Sequence, residues 1–365
     1  MSDFVAVGDR VWVARHDWWS LNIAVIAGDR GLVVVDTHAC EVAARQVVEG
    51  VRRLGAGRIV GIVNTHEHFD HTFANAAFRD VDPALAIHAH EVAAERTILA
   101  GERIQAEYAR HPEDGHAAEV MATRIVPADR VFSISRVIDL GDRGVELSYH
   151  GRGHTGGDAI VHVPDAQVLV MGDLIEESAP PVYGLDSFPL DWPATVAEIE
   201  PMLSGKSVVV PGHGAVVDQG FVRRQAEDLA RVATTINDLH AADVPAEVAL
   251  ESHEWPWDPA TLRHAVERGY EQLRRSGRFP LTDDSYCSGT VSMRVDDLHQ
   301  ETPVTGGDGS RPRCRLPAGP GTLQHPLKEL TVVAKSRPAL SGHCYEPRRN
   351  FRTVSSSQAF GEHVR

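Results

Sequence analysis

Short apolar runs separated by turn residues fill the first 35 positions, at residues 10–14, 22–27 and 31–35, and predict β-strands. Apolar positions at helical spacing then predict a helix over 41–54, and the run 59–63 predicts a buried strand. Residues 91–124 are rich in Ala, Glu and Arg at helical spacing, which predicts a helical insert acting as a lid or a packing surface. Strands are expected again around 136–149 and 159–163, and 192–203 reads as a helix leading into the apolar run 208–210. Two further helices are predicted at 219–241 and 259–275, with Trp255-Pro256-Trp257 as a turn against the core. The whole is an α/β chain, a β-sandwich flanked by helices. After about Pro280 the period disappears and Pro, Gly, Ser and Arg dominate, so 1–280 reads as one domain with C-terminal helices and 281–365 as a disordered tail.

The strand at 59–63 runs into His66-Glu67-His68-Phe69-Asp70-His71, three imidazoles and a carboxylate in one short turn. His66 and His68, two apart, are spaced to face one cation, and Asp70 and His71 another. Matching pieces follow. Gly151-Arg152-Gly153-His154-Thr155-Gly156-Gly157-Asp158 puts a histidine on a Gly-rich turn, Val168-Leu169-Val170-Met171-Gly172-Asp173 ends an apolar run in a carboxylate, and Val208-Val209-Val210-Pro211-Gly212-His213 again joins strand, turn and histidine. Each candidate ligand is thus expected at the end of a strand, the usual place for a site in an α/β sheet. Five His and two Asp suit two zinc-like ions.

In these motifs the chain resembles the metallo-β-lactamase superfamily, whose signature is the His-x-His-x-Asp-His turn, over about residues 4–240. The resemblance implies an αββα sandwich of two mixed sheets flanked by helices. It implies that His66, His68 and His154 bind the first metal, that Asp70, His71 and His213 bind the second, and that Asp173 bridges them. Asp36, in Leu32-Val33-Val34-Val35-Asp36, matches the family's early Asp, which supports a ligand from behind. True lactamase subclasses carry Cys or a non-ligating residue where this chain has Asp173, whereas glyoxalase II and many broad hydrolases of the family carry Asp. A β-lactam hydrolase is therefore a secondary expectation, and the glutathione-binding region expected of glyoxalase II is not seen either.

Two cations about 3.5–4 Å apart can share a hydroxide, because metal binding lowers the pKa of water toward about 7. The expected activity is a dinuclear zinc hydrolase that cleaves an ester, thioester, lactone or amide of a small molecule, with Asp70 also orienting the nucleophile or passing a proton. Iron or manganese suits the same donors, so an iron-dependent oxidoreductase or dioxygenase is the rival. A purely structural metal in a binding module is disfavoured, since structural zinc sites are closed by four protein ligands and seven donors for two ions leave positions open.

His88 and His90 repeat the two-residue spacing without a following Asp-His and are expected near a strand end as surface or supporting residues; His38, just after Asp36, is expected near the site, and His16, His150 and His162 carry no spacing argument. Trp18 and Trp19, between two strands, form a predicted hairpin tip that either covers an apolar substrate or packs on the sheet. Tyr183, in Pro180-Pro181-Val182-Tyr183-Gly184, is expected to wall the pocket and donate a hydrogen bond, unless the segment is a rigid connection.

Net charge is −15, and residues 281–365 hold 11 Lys and Arg against 9 Asp and Glu, which leaves 25 against 42 before them. An acidic body argues against nucleic acid as a partner, which needs basic tracks for phosphates. No run of eighteen apolar residues exists and the start Met1-Ser2-Asp3-Phe4 lacks a basic-then-apolar leader, so no membrane partner and a cytoplasmic location are expected. Cys40, Cys287, Cys314 and Cys344 have neither disulfide nor metal spacing, which fits a reducing compartment. Composition does not fix the oligomeric state.

Overall fold

Val33 and Val35 point one way from the strand Gly31–Val35 and Leu32 and Val34 the other, and both sets are buried. A strand covered on both faces has no polar side, which is why this run lacks alternation. The computed structural model describes residues 3–276. The reading of 281–365 as a tail, and the cysteines within it, fall outside the described residues.

Strands β1 (Val5–Gly8), β2 (Val11–Arg15), β3 (Asn22–Gly28), β4 (Gly31–Val35), β5 (Ile59–Val63), β6 (Ala86–His90) and β7 (Arg130–Phe132) form one sheet in that order. It is antiparallel from β1 to β4 and parallel from β4 to β7. Strands β8 (Ser135–Asp139), β9 (Gly144–Tyr149), β10 (Ala159–Val163), β11 (Val168–Glu176) and β12 (Val208–His213) form the second, ordered β12-β11-β10-β9-β8, with only β11 and β12 parallel. The helices are α1 (Glu41–Leu54), α2 (Phe69–Thr72), α3 (Asn75–Val81), α4 (Glu91–Arg110), α5 (Ala117–Ala122), α6 (Trp192–Ile199), α7 (Gln219–Ala241), α8 (Ala246–Ala249) and α9 (Arg263–Ser276).

Three apolar layers hold this together. Between the sheets, Val33, Val35 and Val63 meet Val161, Val163, Val170 and Val210. Outside the first sheet, Val47 and Val51 of α1 and Phe78 of α3 cover Leu32, Val34 and Ile62. Outside the second, Trp192, Ile236 and Val266 of α6, α7 and α9 cover Leu169 and Val209. The result is the αββα sandwich expected from the sequence. Helix α1 starts at Cys40, whose thiol accepts from the Ala43 N–H, and stops at Gly55 in the left-handed conformation.

Several elements depart from their expected limits. Strand β11 does not end at Asp173 but runs on to Glu176, because Gly172 at φ +52° introduces a register shift that bends the strand and lets it continue along β12. A side chain there would also strike Thr65, whose Cβ lies 2.8 Å from the Cβ position. The 192–203 helix stops being α-helical at Ile199, where Pro201 removes an N–H and only a short 3₁₀ turn follows. Pro259 likewise opens a 3₁₀ turn before α9 begins at Arg263. The 91–124 insert folds as α4 and α5, and Val120, Ile104 and Tyr108 pack on Phe69 and Phe73. No helix among the described residues is long and apolar enough to cross a membrane.

Candidate metal centre

The turn after β5 is fixed by side chains rather than by a regular ladder. Asn64 Nδ2 and Thr37 Oγ both donate to the His71 carbonyl, at 3.0 and 3.1 Å, and Asn64 and Asn75 bond each other. Asp36, at the end of β4 with φ +62°, accepts from Thr65 N at 2.8 Å, Thr65 Oγ at 2.9 Å and His71 Nδ1 at 2.8 Å. One carboxylate thereby ties both the backbone and a ring of the turn to the neighbouring strand. This is the supporting place the resemblance implied for Asp36.

The remaining donors arrive from the second sheet. His154 sits on the loop between β9 and β10, where Asp158 accepts from Thr155 N and Oγ and makes a closed turn. Asp173 projects from β11, and His213 ends β12. His66, His68, His154 and Asp173 bring ligand atoms within 4.8 Å of one another, and so do Asp70, His71 and His213. Asp173 divides its oxygens between the two groups. Its Oδ2 lies 3.3 Å from His154 Nε2 and 3.9 Å from His66 Nε2, while its Oδ1 lies 3.2 Å from His71 Nε2 and 3.5 Å from His213 Nε2. Asp70 Oδ2 is 3.2 Å from His213 Nε2 and 3.4 Å from His71 Nε2, and His154 Nε2 is 2.9 Å from His68 Nδ1.

Each of the five rings spends its outward nitrogen on a partner outside the cluster. His66 Nδ1 faces Thr65 Oγ, His71 Nδ1 faces Asp36, His154 Nδ1 the Val182 carbonyl, His213 Nδ1 the Trp19 carbonyl, and His68 Nε2 Asp186. The opposite nitrogens point inward, the arrangement that orients imidazole ligands. Inside, His66 Nε2, His71 Nε2 and Asp173 Oδ1 are buried without a hydrogen-bond partner. Buried polar atoms are nearly always satisfied, so three orphans converging on one spot are what a cation's place looks like. The donor set, nitrogen-rich with shared carboxylates, fits metal ions of the zinc type.

Without a cation the donors hold one another's charge, and against desolvation the buried carboxylates push the His71 and His213 rings up. Burial alone would raise the Asp173 carboxyl, yet His213, His71, His154 and His66 around it hold it well below the usual range. Asp70 is held down in the same way by His71 and His213 against its own desolvation. Desolvation and neighbouring imidazoles keep His66 neutral. The His68 ring would be lowered by burial but is pushed up to about 9 by Asp186.

Of the proposed substrate contacts, Trp18 and Trp19 lie on a 3₁₀ turn between β2 and β3. Trp18 stacks on His116 at 3.7 Å, and Trp19 is exposed and sits edge-on to Phe69 at 5.2 Å. Tyr183 is a correction: it is buried against Trp192 in the helix-facing core of the second sheet, with its hydroxyl unpartnered, because the Pro-rich segment folds inward. His88 and His90 stay outside the donor groups, His90 capping α4 by accepting from Val92 N. His16 and His38 pack edge to face, while His150 and His162 bond Ser148 and Glu146.

Two residues at the centre were not foreseen. Asp186 accepts from Arg103 of α4 at 2.8 Å while facing His68. Glu176, paired in register with His213, brings a buried carboxylate within 4.8 Å of Asp173 and His213 and is pushed up to about 7 by burial and Asp173. A carboxylate in the 180–186 segment and the first acid after Gly172-Asp173 were the only sequence signals.

The family profile described as Metallo-beta-lactamase superfamily matches residues 16–213. A Bacillus cereus protein named Metallo-beta-lactamase type 2 is 25% identical over 203 residues, 55% of this chain and 70% of that one. The 2,4-dinitroanisole O-demethylase subunit alpha of a Nocardioides strain is 30% identical over 172 residues, 46% of this chain and 45% of its own. A Bos taurus acyl-coenzyme A thioesterase, MBLAC2, is 26% identical over 196 residues, 48% and 66% of the two chains. Among solved structures, the metallo-beta-lactamase FIM-1 of Pseudomonas aeruginosa superposes with a TM-score of 0.51 at 18% identity, covering 64% of this chain and 96% of that one. That likeness speaks for the fold.

Proposed function

Because the chain belongs to the metallo-β-lactamase superfamily and is a metal-dependent hydrolase of that kind, we propose that it works with two zinc ions on an ester, thioester, lactone or amide of a small molecule. The observation that carries this reading is the division of Asp173 between two groups of donors. His66, His68 and His154 would hold one ion, Asp70, His71 and His213 the other, and Asp173 both. When bound, such ions lower the pKa of water to supply a nucleophile at neutral pH and polarise the carbonyl under attack.

The chain's own part is orientation and proton handling. Asp36, Asp186 and the Val182 and Trp19 carbonyls fix the rings so that no reorganisation is needed during turnover. Asp70, kept anionic between His71 and His213, can take a proton from the attacking water and return it to the departing oxygen, sulfur or nitrogen. The relatives are named as a lactamase, an O-demethylase subunit and a thioesterase. Those names imply different bonds, so the substrate of this chain is set by what surrounds its donors.

Asp in place of Cys at 173 makes a β-lactam the less favoured substrate. Iron or manganese in the same cage would support oxidative chemistry, and elemental analysis with an anaerobic assay separates that alternative. The decisive experiment replaces His68 or Asp173 by Ala in the metal-loaded protein and screens ester, thioester, lactone and β-lactam substrates. Turnover should fall by about 10³-fold or more with loss of metal. A His68→Ala protein with full turnover and two bound ions would overturn the assignment.

A further inference from the structure

A cleft of about 160 Å³ opens beside the donors, with His68 and Asp70 at its floor. Its walls are the Phe69 ring and, from α4, Ala100 and Ile104, and the Arg103–Asp186 pair closes one side. The Phe69 ring is held edge-on by Phe73, Tyr108 and Trp19, at 5.4, 6.0 and 5.2 Å, so this wall is rigid. A larger cleft of about 300 Å³, around Arg152, Phe188 and Arg268, is lined by none of the seven donors and plays no part here.

Size and charge narrow what the smaller cleft accepts. An apolar cavity of about 150 Å³ takes up benzene, so this one matches a single phenyl ring or an alkyl group of about four to six carbons. Asp186 is already paired with Arg103, and His68 and Asp70 belong to the donor groups, so Phe69, Ala100 and Ile104 are what the cleft offers a side group, and no charge in it is left to pair with a charged one. We propose that this cleft is the specificity subsite, receiving an uncharged apolar group next to the bond that is cleaved: one ring or a short alkyl chain. The inference rests on the hydrolase reading and adds the chemical class of the substrate.

The test uses the metal-loaded full chain and two ester series, p-nitrophenyl esters from acetate to decanoate and acetates of alcohols from methanol to octanol. In one of them kcat/KM should rise about fourfold per added methylene until the cleft is filled near six carbons and then level off. Ala100→Phe should shrink the hexyl-to-methyl ratio at least tenfold, and Ile104→Ala should move the optimum to a longer chain, with metal content unchanged in both. A flat profile in both series, or one that neither variant moves, overturns the subsite. If the wild type hydrolyses no ester, thioester, lactone or amide while binding two ions, the hydrolase reading has failed instead. Benzyl alcohol binding, followed by NMR of the Ile104 δ-methyl group, then still decides the cleft: saturable binding lost in Ala100→Phe supports it, and no binding to the wild type refutes it.

Discussion

His71 and Asp36 are 2.8 Å apart, Nδ1 to Oδ2, with both side chains almost wholly buried. The bond places the ring proton on Nδ1 and leaves Nε2 facing Asp173 and Asp70. Asp36→Ala would strip acceptors from His71 and from Thr65 N and Oγ at once. Affinity for the second ion should drop about 10- to 100-fold. Asp36→Asn keeps the shape but offers an N–H where His71 needs an acceptor, and should lose nearly as much. Isothermal titration of the metal-free proteins with zinc checks both.

Gly212 provides a cleaner probe of Asp173. A Cβ at this position would lie 1.8 Å from Asp173 Oδ1 and 3.0 Å from its Cγ. Its φ is not in the left-handed region, so Gly212→Ala acts by crowding Asp173, the carboxylate first and its backbone N, at 3.0 Å, second. We expect a folded protein, by circular dichroism, with one ion fewer by elemental analysis and turnover reduced about 10²-fold.

Removing metal should cost stability, because ions bind the assembled donors and not the unfolded chain. At 100 times the dissociation constant, linkage gives about 2.7 kcal/mol. For a domain of this size that corresponds to a fall in Tm of about 5 °C on chelation, reversed by added zinc and measured by scanning calorimetry. An unchanged Tm would mean the donors do not hold the ions in the native state.

His88 sets part of the response to acid. Burial on β6, helped by the charge of Arg136, lowers its pKa to about 4, and its Nδ1 has no partner. The folded-state value lies below the unfolded one, so the unfolded chain takes up the proton first, and stability is lost as pH falls from about 6.5 toward 4. At pH 5 the penalty is about 2 kcal/mol. Urea unfolding of chelated wild type and His88→Gln at pH 7 and pH 5 should show the wild type losing that much more between the two pH values.

Much of the architecture was legible because the central strands, β3, β4, β10 and β11, are covered on both faces. The runs at 59–63 and 159–163 have the limits of β5 and β10, and the amphipathic 41–54 and 219–241 stretches those of α1 and α7. The donors were legible because four of them share one turn. Asp186 was not, since its partners His68 and Arg103 lie 118 and 83 residues away and no local pattern encodes such a meeting. Tyr183 misled because proximity to Asp173 in sequence says nothing of which way a Pro-rich connection turns. Glu176 was hidden by taking the strand to end at Asp173, when Gly172 lets it continue.

Each triad draws two members from the turn after β5 and its third from the opposite sheet, His154 in one case and His213 in the other. Neither half of the sandwich can therefore close a triad alone. Uptake of metal would then report on assembly: a chain whose two sheets had not met would carry the ligands and still have no centre.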